Sequence, residues 1–268
     1  MGGGILTENS AAFAALSTEI RGLAERPELR YVQVRGGEME GEASAITPTV
    51  HTIVPTSRSV EELWASLNGK ARNSVRQLQR EELKVRLETS GERLREFYPL
   101  YAAHMRELGS PVFGQRTLPA MLRHLGPERL RFFLLSHFGQ PIGGMLCIVH
   151  GDRLTNQYSI VRRLGAPKNA NYLLYWHVIE HAARNGIREF DLGRSTPQSG
   201  VHRFKQKWGG SDREVPYRLY TGSHRKSEAR GIWSGTSDFG LMQRMWSKLP
   251  LAVCNAIGPV VRRELPFL

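Results

Sequence analysis

Apolar positions recur along the chain with two different periods, and together they predict a mixed α/β fold. Helical spacing is found at residues 11–23, 60–67, 70–80, 94–108, 118–125 and 170–184. Short apolar or alternating runs, which predict strands, are found at 28–34, 51–55, 85–87, 130–138, 142–150, 154–161, 187–192 and 217–220. Three of these strands, between residues 130 and 161, follow one another through short turns, so we expect an antiparallel meander there.

Polar and glycine-rich stretches separate these elements. Residues 36–48 and 223–237 are predicted to be linkers. Residues 241–249 then form a helix with cationic side chains opposite its methionines and tryptophan. This basic amphipathic pattern fits packing on the protein's own core or contact with a membrane surface.

The most distinctive stretch of the chain runs from residue 190 to residue 209. A short buried strand, 187–192, is predicted to end at Gly193, and a loop of turn residues follows it. Ser199 can cap the next helix, because its hydroxyl can accept a hydrogen bond from a free amide of the first turn.

Lys205 is the first candidate for chemistry. On a helix that begins at Val201, the side chains of Phe204 and Trp208 share one face with Val201, while Lys207 projects from the other side. Lys205 lies at the edge of the apolar face. A lysine directed toward buried aromatic rings, just after the end of a strand, is a candidate site residue. The alternative is that its stem covers Trp208 while its ammonium group stays in water.

Composition and charge narrow the class of protein. With 268 residues, 40% apolar and 23% charged, the chain has the composition of a soluble globular protein. A net charge of +12 favours polyanionic partners such as RNA, nucleotide-linked substrates or an anionic membrane surface, although a generally basic proteome gives the same sign. The two cysteines are expected to be reduced core residues, and the absence of a signal peptide and of a membrane span predicts a cytoplasmic protein.

Two further charged patterns have alternative interpretations. Arg72 and Arg76, with Lys70, form a basic stripe that could hold phosphates or could be an ordinary solvated helix face. His177 and His181 have a spacing that metals use, but no third ligand is evident, so they are predicted to face solvent without a metal.

The order of the predicted elements resembles that of a GNAT-type N-acyltransferase: a meander, a loop, a helix, a strand and a final hairpin. In that family the loop holds the pyrophosphate of CoA with its amides. Arg162 and Gly165 begin the corresponding pattern here. Pro167 departs from it, because proline has no amide to donate.

The chain is similar in more detail to the FemAB-like family, in the branch associated with PEP-CTERM and exosortase systems. The motifs that carry the resemblance lie at 70–76, 108–113, 171–176, 191–196, 204–209 and 246–251. The resemblance implies a GNAT-like fold and transfer of an amino acid from aminoacyl-tRNA to an amine of a peptidoglycan precursor. It also implies that residues 1–50 are the remnant of a first GNAT-like half, residues 51–222 a complete half, and residues 223–268 a linker with the basic helix.

This resemblance, combined with the residues, gives the leading hypothesis of an acyl- or aminoacyltransferase that forms an amide on an envelope or exopolysaccharide precursor. Lys205 would stabilise the oxyanion. Asp191 would accept a proton or orient Arg194, which would hold phosphate, although an aspartate at a strand end can also simply cap a loop. The other candidates for substrate binding are Ser195, Tyr158, Asn171, Tyr175, Trp208, Lys70, Arg72 and Arg76.

The same hypothesis specifies the partners. No permanently bound cofactor is expected, and aminoacyl-tRNA or another acyl donor serves as co-substrate. The acceptor is a nucleotide- or lipid-linked envelope precursor at the inner face of the membrane, and a separate partner would supply the missing half. The alternatives are a CoA-dependent acyltransferase that uses Arg162 and Gly165, and a noncatalytic basic module that binds RNA or a membrane.

Overall fold

The structure, a computed structural model, describes residues 5, 7–29, 31–36, 44–45, 49–162, 164–215, 217–223 and 236–264. The α-helices in this part are α1 (Ser10–Ala24), α2 (Val60–Ser66), α3 (Gly69–Leu78), α4 (Gly91–Glu107), α5 (Thr117–Arg129), α6 (Ala170–Arg184), α7 (Gly200–Lys205), α8 (Thr236–Lys248) and α9 (Leu251–Glu264). The strands are β1 (Val32–Arg35), β2 (Ser44–Ala45), β3 (Thr49–Pro55), β4 (Leu83–Glu88), β5 (Leu130–His137), β6 (Gln140–His150), β7 (Arg153–Val161), β8 (Glu189–Ser195), β9 (Ser211–Val215) and β10 (Tyr217–Tyr220).

The strands form a large mixed sheet and a small one. The large sheet has the order β4-β5-β6-β7-β8-β3-β9, and the small sheet has the order β1-β10-β2. Strands β4 to β7 pair antiparallel with their neighbours, which confirms the predicted meander, whereas β7 and β8 pair in parallel. A parallel pair needs a crossover, and α6 supplies it.

The chain divides into two compact units. The first contains Met1–Thr52, Arg194–Arg203 and Asp212–Phe239. The second contains Ile53–Gly193, Phe204–Ser211 and Gly240–Leu268. The predicted limits at residues 50 and 222 rest on the family resemblance and stay a prediction.

Alternation along β5 distributes the core of the second unit over two hydrophobic clusters. Phe133 and Leu135 pack in one cluster with α2, α3 and α6, whereas Phe132 and Leu134 pack in another with α4 and α5. Successive strand residues point to opposite faces of a sheet, so helices cover both faces of the meander. The two cysteines are buried and free, as predicted.

Local signals explain where several elements begin. Ser59 and Glu62 form a reciprocal capping box at the start of α2. Ser199 accepts a hydrogen bond from the amide of His202 at 3.1 Å, so its predicted role as the cap of α7 is confirmed. Each cap satisfies amides that a helix of six or seven residues would otherwise leave without partners.

The structure corrects several expectations about the elements. Strand β8 does not stop at Gly193 but continues to Ser195. Strand β9 and helix α9 were not predicted. The predicted linkers lie mostly outside the described residues, except that 44–45 form β2 and α8 begins at Thr236.

His177 and His181 do not face solvent as predicted. Both are half-buried, and their rings lie 6.3 Å and 5.0 Å from the ring of Phe133 in edge-on arrangements. Burial lowers the pKa of His177, and burial together with the charges of Arg131 and His177 lowers the pKa of His181 to about 4. Within the described residues, no group of three His, Cys, Asp or Glu side chains is arranged to hold a metal.

Candidate active site

Strands β7 and β8 separate where the candidate residues are concentrated. Their parallel ladder pairs Arg153–Thr155 with Glu189–Asp191 and ends there. Two residues further along β7, Gln157 has no partner in the pairing of β6 with β7, and this β-bulge bends β7. Beyond the ladder, the side-chain amide of Asn156 donates to the carbonyl oxygen of Leu192 at 3.4 Å. A side chain thus continues the link between the strands where the backbone pairing has ended.

Lys205 contacts β8 at Gly193, and both residues belong to the second unit. Its side chain is only 4% exposed, and Nζ donates to the carbonyl oxygen of Gly193 at 2.7 Å. The alternative interpretation, a lysine with its ammonium group in water, is therefore wrong. A buried ammonium group interacts with a neighbouring negative charge much more strongly than one in water does.

Gly193 and Asp191 shape the backbone beneath Lys205. The Oδ1 atom of Asp191 accepts a hydrogen bond from the amide of Gly193 at 2.8 Å, so this carboxylate holds the backbone of β8 two residues further along and does not cap the end of the strand, which lies at Ser195. Gly193 has a φ of +81°, and a Cβ there would lie 3.1 Å from the carbonyl oxygen of Asn156. Glycine is required for both reasons.

Aromatic rings from α6 and from the short helix that carries Lys205 pack together as one wall of the core. The rings of Tyr175 and Trp208 stack with centroids 5.6 Å apart, and Phe204 packs edge-on against Tyr175 at 4.9 Å. Val201 was predicted to share this buried face, but it is exposed. The helix also tightens to 3₁₀ geometry over Gln206–Trp208. The change of pitch turns Trp208 away from the line that an α-helix would follow.

Buried polar atoms without partners lie among these residues. Burial raises the pKa of Tyr175, whose hydroxyl is in hydrogen-bonding contact with Ser159 and Asn156 and is neutral at physiological pH. Oδ1 of Asn156 and Nε1 of Trp208 are buried and have no hydrogen-bond partner in the described part of the chain. Such atoms are uncommon in folded proteins, and a water molecule or a ligand can satisfy them. Asn156 had no motif in the sequence and was missed.

Lys207 is not a free lysine on the opposite side of the helix. Its Nζ atom donates to the hydroxyl of Tyr172 at 3.1 Å and lies 5.8 Å from the centre of that ring. Lys207 therefore supports the aromatic wall. An exposed lysine such as Lys84 is a better reference for the effect of removing one positive charge.

Arg194 and Ser195 belong to the first unit. Arg194 is exposed, as suits a residue that contacts a phosphate. Ser195 is buried, and its Oγ atom has no hydrogen-bond partner among the described residues. The hydroxyl is thus another candidate ligand-binding atom.

Tyr158 lies on the other face of the sheet. It packs in the cluster that contains α4 and α5, with its ring 5.2 Å from Tyr101 and 6.3 Å from Phe113. Burial raises the pKa of Tyr158, and the positive charge of Arg262 partly opposes this effect. The structure therefore does not bring Tyr158 together with Lys205.

The loop between β7 and α6 contains the candidate pyrophosphate residues. Nη2 of Arg162 donates to the carbonyl oxygen of Gly165 at 3.4 Å. The first amide of α6, that of Ala170, already donates to the carbonyl oxygen of Pro167 at 3.1 Å. Asn171 is half-buried in the first turn of α6.

The three cationic residues of the predicted basic stripe on α3 have different surroundings. Nη1 of Arg72 donates to the carbonyl oxygens of Ala65 and Leu67 at 2.8 and 2.9 Å, which satisfies the end of α2. Arg76 lies over the ring of Trp64 at 5.5 Å. Lys70 is exposed. Arg72 is therefore a structural residue and not part of a uniform solvated stripe.

A histidine–aspartate pair in the first unit was also missed. Nδ1 of His202 accepts a hydrogen bond from the amide of Gln198 at 2.9 Å, and Nε2 lies 2.7 Å from Oδ2 of Asp212. Oδ1 of Asp212 accepts from the hydroxyl of Thr52 at 2.8 Å. Because an amide can only donate, Nδ1 is unprotonated and Nε2 carries the hydrogen. His202 and Asp212 are ten residues apart and lie in different elements, α7 and β9, so no helical or strand period could have revealed the pair.

No helix in the described part of the chain combines the length and the apolar character needed to cross a membrane.

Several solved structures share the fold at low sequence identity. FemX superimposes with a TM-score of 0.61 and 14% identity, over 81% of this chain and 78% of FemX. The C-terminal domain of a protein named as a lysylphosphatidylglycerol synthetase, from Agrobacterium fabrum, gives 0.56 and 14% identity, over 73% of this chain and 65% of that domain. L-PGS from Bacillus licheniformis gives 0.50 and 14% identity, over 82% of this chain and 68% of that protein. A comparison with curated proteins finds no match.

The family model for the acetyltransferase (GNAT) domain matches residues 65–206. This segment runs from the end of α2 to just past the end of α7, and it contains both the separated strands β7 and β8 and Lys205. It amounts to more than half of the 268 residues. The chain therefore has the GNAT-like fold that the order of its elements predicted, and it belongs to the acetyltransferase (GNAT) domain family.

Proposed function

We propose that this chain is an acyl- or aminoacyltransferase of FemAB type, which forms an amide on an amine of a cell-envelope or exopolysaccharide precursor. The observation that supports the proposal most strongly is the hydrogen bond from the buried Nζ of Lys205 to the carbonyl oxygen of Gly193, at the point where β7 and β8 separate. Likeness in fold to FemX is consistent with the FemAB branch.

The chemistry needs a fixed positive charge. When an amine attacks the ester carbonyl of a donor, the carbonyl oxygen becomes a tetrahedral oxyanion, and a donor already in place stabilises that charge without reorganisation. The proposed donor is the ammonium group of Lys205. It is held by the carbonyl oxygen of Gly193, and the residue is 4% exposed.

Protons must also move. The attacking amine loses a proton, and the departing hydroxyl of the donor gains one when the tetrahedral intermediate collapses. The carboxylate of Asp191 is the proposed acceptor of the first proton, since its Oδ1 atom already faces the amide of Gly193 beside the site. Arg194 is proposed to hold a phosphate of the donor or the precursor.

The proposed donor is aminoacyl-tRNA. A net charge of +12 favours a polyanion, and attraction to phosphates weakens as salt increases. The CoA-dependent alternative would use the loop at Arg162 and Gly165. The donor, the nucleotide- or lipid-linked acceptor and a partner that completes the FemAB arrangement are all parts of the proposal.

Transfer assays with several donors test this function. Bulk tRNA charged with labelled amino acids, and separately labelled acetyl-CoA, would be incubated with nucleotide-linked envelope precursors that carry a free amine. We expect the label to pass from tRNA to the precursor. Transfer from acetyl-CoA would favour the CoA-dependent alternative, whereas binding of tRNA without transfer would favour the noncatalytic module.

A further inference from the structure

The two C-terminal helices, α8 and α9, expose an unusual amount of apolar surface. The exposed large apolar side chains on them are Leu241, Met242, Met245, Val253, Ile257 and Val260. Met245 and Val260 are 63% and 65% exposed, and the six residues are grouped on two consecutive helices, whereas isolated exposed apolar residues are ordinary on a protein surface. The sequence had indicated that α8 carries an apolar face, and the structure leaves most of that face uncovered.

The inner sides of both helices are occupied by packing on the segment after α4. Gln243 of α8 approaches Gly109 so closely that a Cβ at Gly109 would overlap its backbone, and Gly258 of α9 lies against Val112 in the same way. Trp246 and Cys254 are buried on this side, with Sγ of Cys254 at 3.8 Å from the carbonyl oxygen of Trp246. The exposed apolar residues lie on the remaining helix faces.

On α9, the exposed face is almost entirely apolar. Val253, Ile257 and Val260 follow one another at helical spacing of four and three residues, and the exposed residues Ala252 and Ala256 lie beside them. Arg263 continues the same face at the end of the helix. On α8, Leu241 and Met245 form the corresponding row, and the exposed side chains of Arg244 and Lys248 lie along one side of it.

The charge of this region identifies the partner. Helices α8 and α9 contain the cations Arg244, Lys248, Arg262 and Arg263, against two acidic residues, Asp238 near the start of α8 and Glu264 at the end of α9. Exposed apolar rows with an excess of cations beside them are complementary to a bilayer surface, whose acyl region accepts the apolar side chains while its anionic headgroups attract the cations. A second copy of the chain would instead bring two positively charged faces together, which repel each other.

We propose that the surface formed by α8 and α9 binds an anionic lipid bilayer, with both helices lying in the plane of the interface. This inference does not depend on the transfer reaction. It concerns a surface on the side of α8 and α9 that faces away from Gly109 and Val112.

Sedimentation with vesicles tests the proposal. The whole chain would be mixed with vesicles of phosphatidylglycerol or of phosphatidylcholine, and the bound fraction would be measured at two salt concentrations. We expect binding to phosphatidylglycerol that salt weakens, and weak binding to phosphatidylcholine. Val260→Glu is expected to lower the partition coefficient about tenfold, because it replaces an inserted apolar group with a charge.

A matched control and a charge variant complete the experiment. Leu16→Glu places the same charge on an exposed leucine of α1, and it should bind vesicles as well as the wild-type chain does. Arg244→Gln and Lys248→Gln should each lower binding to phosphatidylglycerol about fivefold and leave binding to phosphatidylcholine unchanged.

Three outcomes would overturn the proposal. The first is no binding to phosphatidylglycerol by the wild-type chain. The second is equal loss of binding in Val260→Glu and Leu16→Glu. The third is a dimer in sedimentation velocity that Val260→Glu converts to monomers, which would make this face an interface between copies. Circular dichroism would verify that each variant is folded.

Discussion

The guanidinium carbon of Arg262 lies 3.8 Å from the centre of the Phe113 ring, so α9 is attached to the connection between α4 and α5. Nη1 of Arg262 donates to the carbonyl oxygen of Pro111 at 2.7 Å, and Nη2 lies 3.4 Å from the hydroxyl of Tyr158. The hydroxyl of Tyr98 in turn donates to the carbonyl oxygen of Phe113 at 2.7 Å. The resemblance had marked residues 108–113 as a motif, and this motif is the segment on which the C-terminal helices pack.

Replacement of Arg262 by methionine should destabilise the protein. The variant loses a cation–π contact and a charged hydrogen bond, which together contribute about 2 kcal/mol to the free energy of unfolding. Urea denaturation would measure the loss. Arg263→Met removes the same charge from the exposed neighbouring residue and should change the free energy of unfolding by less than about 0.5 kcal/mol. Equal effects in the two variants would mean that the contacts of Arg262 contribute nothing specific.

Lys205→Met should abolish most of the transfer activity. Loss of one fixed oxyanion donor typically lowers the rate by about 10²–10³, or roughly 3–4 kcal/mol in the activation barrier. The measurement is the single-turnover rate at saturating donor and acceptor, since a defect in binding would then not contribute. Lys84→Met lowers the net charge by the same amount at an exposed strand position and should retain wild-type activity. Transfer by Lys205→Met at the rate of Lys84→Met would exclude Lys205 from the chemistry.

CoA should bind weakly or not at all. Pro167 has no amide, and the amide of Ala170 is already bonded to the carbonyl oxygen of Pro167, so the loop offers fewer donors to a pyrophosphate. Each amide that donates to a charged group contributes on the order of 1.5–3 kcal/mol. Isothermal titration calorimetry with CoA would measure this. Saturable micromolar binding that acetyl-CoA displaces would contradict the prediction.

His181 should make the protein less stable as the pH falls. Its pKa in the folded protein is lowered to about 4 by burial and by the charges of Arg131 and His177, so the unfolded chain takes up the proton first. The pKa of a histidine in the unfolded chain is about 6.5, and above that pH the neutral ring makes its full contribution to the free energy of unfolding. This contribution decreases as the pH falls toward 4. Because the ring is half-exposed and solvent screens its interactions, we expect the free energy of unfolding to fall by only about 1 kcal/mol.

The check is a series of urea denaturation curves between pH 7 and pH 4. His181→Gln should show a smaller decrease in the free energy of unfolding than the wild-type protein. The same substitution at the exposed His124 should leave the wild-type pH dependence intact. An unchanged pH dependence in His181→Gln would show that another group titrates.

The elements with a strong local pattern could be predicted from the sequence. The meander and α6 combine long apolar periods with clear turn residues, and Ser59 and Ser199 are caps whose effect extends over only a few residues. Strand β9 could not be predicted, because Ser211–Glu214 is exposed and polar and has no alternation. Helix α9 was hidden by Gly258 and Pro259, which usually interrupt helices.

The candidate site could be predicted only in part. Helical spacing placed Lys205 at the edge of the apolar face, and the structure buries it there, because that relation involves neighbours on one short helix. The separation of β7 from β8 occurs at the level of a bulge at Gln157 in the pairing of β6 with β7, next to Asn156. The partners of Arg72, Lys207 and Arg262 are also tertiary contacts. Such contacts have no periodicity that a single sequence would reveal.

The tautomer of His202 has a consequence for hydrogen exchange. Gln198 has a φ of +61° and lies just before α7, in a connection whose amides would ordinarily exchange with solvent rapidly. Its amide is instead held by the buried imidazole of His202, which is itself held by Asp212. The exchange rate of this single loop amide therefore reports on whether the imidazole of His202 keeps its position between Gln198 and Asp212.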